Sequence, residues 1–341
     1  MKKIKVAIAG ATGFVGLELL KILTKHPNVD ILYLYSQSKL KKSINFYYKD
    51  LKFKKKLPIV SIMKNQELKN IDVIFTALPH GEAHLISKKI RSNSVLIDLS
   101  ADFRIDNKTI FEKWYKLPHQ ATKEQKKSIY GLSEINRSLI KKSNFIACPG
   151  CYPTSILLPL LPLVKNKLIN TNSIKADSKS GYSGAGKKTT DKKLYPNINE
   201  NISIYGVGQH RHMPEIDQEL SKSSKKKIKI SFTPHLIPTF RGILSTIYLD
   251  LPKGIKIKKV KDCLLNFYKK EKFVNVVNSK EMINTNRVLN TNNCNIAVYQ
   301  TRFDSQIIIA SSLDNLIKGA AGQAVQNFNI RFGFKETLSL V

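Results

Sequence analysis

Glycines at positions 10, 13 and 16 fall where an apolar strand gives way to a helical pattern, and this junction constrains the fold more than any other feature of the chain. Residues 3–9 read as a continuous apolar strand with a basic lead. Residues 13–25 carry Val15, Leu19, Leu20 and Leu23 at helical spacing, on one side of a helix. Between them, Gly10-Ala11-Thr12-Gly13-Phe14-Val15-Gly16 follows G-x-x-G-x-x-G, a variant of the dinucleotide fingerprint. Glycines there allow a tight turn and close approach of a pyrophosphate, which then rests on the helix N-terminus. Gly10, Thr12, Gly13, Phe14, Val15 and Gly16 are therefore the expected cofactor contacts. The basic-then-apolar opening imitates a signal peptide, but the apolar run is short and broken by glycine. It is read as a first strand and not as a targeting segment.

The second strand, residues 30–35, leads into Ser36-Gln37-Ser38-Lys39. An NAD site would place Asp or Glu here for the ribose hydroxyls. Ser36, Ser38 and Lys39 suit a 2′-phosphate instead, so the expected cofactor is NADP. Further strands are read at 73–77, 95–99 and 144–147, with a helix over 83–90. Strands alternating with helices imply right-handed crossovers and a parallel sheet. From about residue 174 the pattern changes to longer β-rich segments at 174–178, 227–235, 242–251, 295–299 and 306–311, and residues 315–328 are helical again. The predicted fold is α/β: a Rossmann-type parallel-sheet domain over 1–150, and an α+β domain with a mixed sheet over 151–314. A C-terminal helix over 315–341 would return to the cofactor domain. The length of 341 residues suits about two domains.

Cys148-Pro149-Gly150-Cys151-Tyr152-Pro153-Thr154 precedes an apolar helical run. A helix N-terminus stabilises a thiolate through its N–H groups and dipole. Gly150 permits a sharp turn, and Pro153 suits a first helical turn. These features make Cys151 the expected nucleophile. Pro159 and Pro162 are expected to kink or divide the helix that follows. Nucleophilic catalysis at a thiol also needs a proton acceptor. His210 and His212 flank Arg211 at the start of a helix read over 214–221, and either histidine could serve. Arg104, after the fourth strand, could clamp an anionic substrate or pair with Asp98 or Asp102. Arg211 and Arg241 are further cations. The loop 180–186, with its serines and glycines, could form an anion nest for a leaving phosphate or for cofactor phosphates.

Several classes of function are set aside. The net charge is +32, but the excess is nearly all Lys and is spread along the chain. A nucleic-acid footprint would cluster and would contain more Arg, so no dedicated nucleic-acid partner is expected. No apolar run is long enough for a membrane span. Cys148, Cys151, Cys263 and Cys294 form no dense framework, which suits a reducing cytoplasm, and no metal site is expected. Cys148 and Cys151 are spaced for a reversible disulfide that would inactivate the thiol.

The order of several motifs resembles a known family. They include Leu78-Pro79-His80-Gly81, Asp98-Leu99-Ser100-Ala101-Asp102-Phe103-Arg104, Tyr130-Gly131-Leu132-Ser133-Glu134 and Ser180-Gly181-Tyr182-Ser183-Gly184-Ala185-Gly186. They continue with His210-Arg211-His212-Met213-Pro214-Glu215-Ile216, Pro234-His235-Leu236-Ile237-Pro238 and Asp314-Asn315-Leu316-Ile317-Lys318-Gly319-Ala320-Ala321-Gly322-Gln323. With the glycine turn and Pro149–Thr154 motif, the chain resembles the N-acetyl-gamma-glutamyl-phosphate reductases over almost its whole length. It departs from their pattern at Cys148, where Asn is frequent, and at Ser133, where Pro is frequent. The resemblance implies an NADPH-dependent acyl-phosphate reductase of arginine biosynthesis that works through a Cys151 thioester. It favours His212 as the acid–base group and gives His210 an orienting or binding role. It places Pro79, Ser180, Gly181 and Asn315 at the cofactor, and Arg104, Arg211 and Ser183 at the substrate. It also implies a homo-oligomer acting on a small molecule. An aspartate-semialdehyde dehydrogenase-like enzyme and a non-catalytic NADP-binding regulator are the alternatives.

Overall fold

The computed structural model describes residues 3–37, 41–49, 51, 53, 55–186 and 200–341. The chain divides into two compact units, one formed by Met1–Pro149 with Ala320–Val341 and the other by Gly150–Gly319.

The first unit is built on a seven-stranded sheet. In chain order its strands are β1 (Ile4–Ala9), β2 (Val29–Tyr35), β3 (Val60–Ser61), β4 (Val73–Thr76), β5 (Val95–Asp98), β6 (Ile129–Tyr130) and β7 (Phe145–Ala147). They lie in the order β3-β2-β1-β4-β5-β7-β6, and every pairing is parallel. A parallel sheet covered on both faces needs strands that are apolar throughout. Val6, Ala7, Ile8 and Ala9 are accordingly buried, as are Val73, Ile74 and Phe75. The chain steps from β1 to β2 on one side and later to β4 on the other. The C-terminal end of β1, where the glycine turn begins, is thus the switch point at which ligands of such sheets bind.

The second unit carries a mixed seven-stranded sheet of β8 (Lys175–Gly181), β9 (Ser203–Ile204), β10 (Ser231–Ile237), β11 (Ile243–Asp250), β12 (Val274–Val276), β13 (Cys294–Gln300) and β14 (Gln306–Leu313). The order is β12-β13-β14-β11-β8-β10-β9, with β8/β10 and β12/β13 parallel and the other pairs antiparallel. One face of β11 is buried through Ile243, Ser245, Ile247 and Leu249, while Tyr248 on the other face is exposed.

Two expectations need correction. Pro159 and Pro162 do not divide the helix after Cys151, which runs unbroken over Cys151–Lys165. Pro162 has no N–H to offer the Leu158 carbonyl four residues back. The Tyr268 hydroxyl, from helix Ile257–Tyr268, donates to that carbonyl instead. The Pro162 carbonyl in turn accepts from the backbone N–H and the side chain of Asn166. The helix expected from residue 315 starts later. A π-helical turn, Ile317–Ala321, precedes the α-helix Gly322–Phe332.

Candidate active site

The glycine turn has the shape a dinucleotide needs. Gly10 has φ +86°, and a β-carbon on it would lie 2.1 Å from the Ala77 carbonyl oxygen. One on Gly16 would lie 2.2 Å from the Gly10 carbonyl oxygen. Only glycine allows these two backbone approaches. Gly13 caps the helix Phe14–Leu23 without any side-chain bond, which leaves the helix entrance to its amides. The Thr12 hydroxyl lies 3.1 Å from that of Ser36, so the turn is tied to the end of β2. The Tyr48 hydroxyl donates to the carbonyls of Thr12 (2.8 Å) and Gly13 (3.1 Å). Phe14 and Val15 are the first residues of the helix. Pro79 lies in the turn after β4, where its carbonyl accepts from Glu82. Ser38 and Lys39 lie outside the described residues.

Beside this cradle is a buried acidic cluster. Asp98, at the end of β5, accepts from the Thr76 hydroxyl (2.7 Å) and the Ser100 amide (3.0 Å). Burial pushes its carboxyl up. Asp102 is pushed up to about 7, first by burial and then by neighbouring Asp98. Arg104 is buried too. Its guanidinium donates to the carbonyls of Cys148 (2.7 Å) and Leu99 (2.9 Å). The Cys148 amide donates to the Asp98 backbone carbonyl (2.7 Å), so the backbone at 148 is held from both sides.

The two departures from the family pattern meet at one side chain. Asn327 donates to the Gly131 carbonyl at 2.8 Å and to the Cys148 sulfur at 3.6 Å, and it accepts from the Ser133 hydroxyl at 2.8 Å. Burial pushes the Cys148 thiol up to about 12. At neutral pH it is a protonated packing group and a poor nucleophile.

In the second unit, Cys151 is the first residue of a 15-residue helix capped by Gly150. A β-carbon on Gly150 would lie 2.4 Å from His212 Nε2, so the imidazole lies directly against this turn. His212 caps helix Met213–Ser224. From its first turn Glu215 accepts the Gly150 amide at 2.8 Å. The two helix starts therefore hold each other. Pro153 has no N–H, so the N–H donors of the first turn are those of Cys151 and Tyr152. Gly319 of the π-helical turn also packs here, since a β-carbon on it would lie 2.7 Å from Cys151 Cβ. π-turns inside helices recur at functional sites.

His210 is held differently from His212. Its Nδ1 accepts the His212 backbone N–H at 3.2 Å, and its ring packs edge-on against Tyr152, Tyr205 and Phe232. Burial, and then the Arg211 charge, pull its pKa down to about 4. The imidazole is therefore neutral near pH 7. Tyr205 donates to the Tyr152 hydroxyl (3.2 Å), which donates to the His235 carbonyl (3.1 Å). Burial pushes both phenols up. Arg211 is exposed.

The remaining candidates of this unit also cluster. Asn315 donates to the Ser183 hydroxyl at 2.9 Å and accepts the Gly242 amide at 2.7 Å. Ser180 donates to the Gly181 carbonyl. Gly181 passes so close to Arg241 that a β-carbon would lie 2.7 Å from its amide nitrogen. Arg241 itself donates to Asp314 (3.2 Å) and Asn290 (2.7 Å).

Sequence reasoning gave no role to Glu215, Tyr205, Tyr48 or Gly319. The position of Glu215, three residues after His212 in a first helical turn, was a usable signal. The other three come close only through tertiary packing. Among the described residues no group of His, Cys, Asp and Glu is arranged to hold a metal, and no helix is long and apolar enough to cross a membrane.

Residues 5–143 match the family described as semialdehyde dehydrogenase, NAD binding domain, and residues 151–315 match semialdehyde dehydrogenase, dimerisation domain. Among solved structures, aspartate semialdehyde dehydrogenase II of Vibrio cholerae aligns with TM-score 0.74 at 20% identity, over 97% of this chain and 99% of that one. The Candida albicans aspartate semialdehyde dehydrogenase with NADP aligns with TM-score 0.64 at 19% identity, over 96% and 98%. At such identities the likeness concerns the fold. The N-acetyl-gamma-glutamyl-phosphate reductase of Alkaliphilus metalliredigens is 44% identical over 99% of this chain and 98% of its own. The probable chloroplastic N-acetyl-gamma-glutamyl-phosphate reductase of Arabidopsis thaliana is 41% identical over 100% of this chain and 84% of its own. With a glycine cradle on one unit and a thiol at a helix start beside a histidine on the other, the chain belongs to the N-acetyl-gamma-glutamyl-phosphate reductase family.

Proposed function

We propose that this chain reduces N-acetyl-glutamyl 5-phosphate to N-acetyl-glutamate 5-semialdehyde and releases phosphate, with Cys151 as the covalent catalyst. The observation that carries the reading is Cys151 at a helix start whose capping glycine lies against His212. The Cys151 thiolate attacks the acyl carbonyl, and the tetrahedral adduct expels phosphate to leave a thioester. When bound, NADPH supplies the hydride that reduces this thioester to a thiohemiacetal. The alkoxide of that adduct then collapses, the C–S bond breaks to free the aldehyde, and the departing Cys151 sulfur takes back the proton. The amides of Cys151 and Tyr152 face the oxyanion of both tetrahedral species.

His212 takes the thiol proton before attack and protonates the departing sulfur afterwards. His210 is neutral and accepts the His212 backbone N–H, which suits it to orient its neighbour. Glu215 holds the Gly150 amide and so fixes the angle at which Cys151 enters the helix. Arg104 and Arg211 are the cations proposed for the substrate anions, with Ser183 as a neutral contact. Asn315, Ser180 and Gly181 are proposed for the nicotinamide end of NADPH, and Pro79 for the dinucleotide. The second unit matches a family described as a dimerisation domain, which supports a homo-oligomer.

The test is the reverse reaction. With N-acetyl-glutamate 5-semialdehyde and NADP, reduction of NADP should depend on inorganic phosphate. Aspartate semialdehyde should be turned over at least about a hundredfold less efficiently, a difference of roughly 2.7 kcal/mol in transition-state binding. Preference for aspartate semialdehyde would favour the dehydrogenase reading. NADP binding without reduction of either aldehyde would favour a regulator.

A further inference from the structure

The six-residue helix Glu82–Ser87 follows β4, and no side chain of its own caps it. The cap comes from another element. Asp102 is wholly buried; its Oδ1 accepts the Gly81 amide at 2.8 Å, and its Oδ2 accepts the amides of Ala83 (2.9 Å) and His84 (3.4 Å). Gly81 has φ +92°, so the turn is sharp where the carboxylate grips it. A helix this short does not hold its own first turn. One carboxylate therefore decides where residues 78–84 lie.

That turn borders the dinucleotide cradle. Ala77, just before it, donates its amide to Ala9 at 2.8 Å and presses its carbonyl against Gly10. The Gln37 side chain, past the end of β2, reaches Glu82 at 3.5 Å. Asp102 is in turn fixed from three directions. Its amide donates to Asp98 Oδ2 at 3.2 Å, and its carbonyl oxygen lies 3.1 Å from Nε2 of His84 and 3.1 Å from Nε2 of His119.

We propose that Asp102 is a positioning residue for the cofactor: its carboxylate locks the turn 78–84 against the glycine cradle and so sets NADPH affinity, with little effect on the chemical step. This rests on the cofactor reading above and adds to it the group that shapes one wall of the site. The role differs from that of the glycines, which admit the dinucleotide, because Asp102 acts only through the backbone it holds.

The experiment is direct titration of NADPH into the full chain, read by nicotinamide fluorescence, for the unmodified protein, Asp102→Ala, Asp102→Asn and Asn329→Ala. Asn329 is a buried amide elsewhere in the same unit, bonded to His26 and to the Glu336 and Leu338 carbonyls. It controls for loss of stability alone. Asp102→Ala should raise the NADPH Kd about tenfold or more, the effect of removing the one buried acceptor that three N–H groups share. Asp102→Asn keeps one acceptor oxygen and should rise less, and it covers the case in which the alanine variant fails to fold. At saturating NADPH both Asp102 variants should keep kcat within about threefold. Asn329→Ala should lower the melting temperature and leave the NADPH Kd unchanged. Unchanged Kd in the Asp102 variants, or an equal rise in Asn329→Ala, overturns the proposal while NADPH binding by the unmodified chain stands. Failure of the unmodified chain to bind NADPH overturns the cofactor reading, and this proposal with it.

Discussion

Serine in place of Cys151 would keep the helix start and lose the sulfur, and an alkoxide is not accessible there at neutral pH. Cys151→Ser should keep fold and NADPH binding while turnover falls by about three orders of magnitude or more. Cys148→Ser should retain substantial activity, because the Cys148 thiol is buried, protonated and bonded to Asn327. A dead Cys148 variant with an active Cys151 variant would reverse the assignment of the nucleophile. The two histidines separate by a second measurement, the rate of Cys151 alkylation against pH. His212→Asn should slow alkylation near neutral pH and lower the chemical step about 10²–10⁴-fold. His210 stays neutral down to about pH 4, so His210→Asn should leave the position of the alkylation profile unchanged. A shift with His210→Asn and none with His212→Asn would exchange their roles. At this scale the sequence displayed Cys151, His210 and His212 by local spacing. Glu215 was in the same motif, but its bond to Gly150 joins residues 65 positions apart, which spacing does not show.

The helix that begins at Cys151 shows how an element survives residues that oppose it. Two prolines lie in its second half, and an apolar helix so interrupted would be expected to break. Tyr268 supplies the donor that Pro162 lacks, from a helix about a hundred residues later in the chain. Tyr268→Phe leaves the ring and removes the hydroxyl, so the Leu158 carbonyl becomes a buried acceptor without its partner. The expected cost is about 1–3 kcal/mol of stability. Chemical denaturation should show it, and kcat should change little, since Cys151 lies two turns away. An unchanged denaturation midpoint would mean that the helix tolerates Pro162 without the phenol. The long apolar strands of the first unit were legible because parallel strands bury both faces. Two-residue strands such as β3 and β6 were not, since two residues carry no period and pair only because neighbouring strands are already in place.

Over the whole molecule the net charge of +32 acts on both reactants, which are anions. An excess spread over the surface attracts them from a distance and is screened within about 10 Å at 0.1 M salt. We expect kcat/KM for the acyl phosphate to fall roughly threefold or more between about 0.02 and 0.2 M NaCl, with kcat at saturation nearly constant. Stopped-time assays across salt concentrations would test this, and a flat kcat/KM would show that the lysine excess has no part in capture. The sequence by itself determined the class of fold, the glycine cradle and the thiol at a helix start. Each of these is written in contiguous residues, as a period, a turn or a cap. Tertiary structure decided the rest: that Gly150 leaves room for His212, that Asp102 caps a helix twenty residues earlier, and that Asn327 collects Ser133 and Cys148. Those pairings satisfy buried polar groups across long stretches of chain, and a buried group's partner is fixed by which elements pack together rather than by its neighbours in sequence.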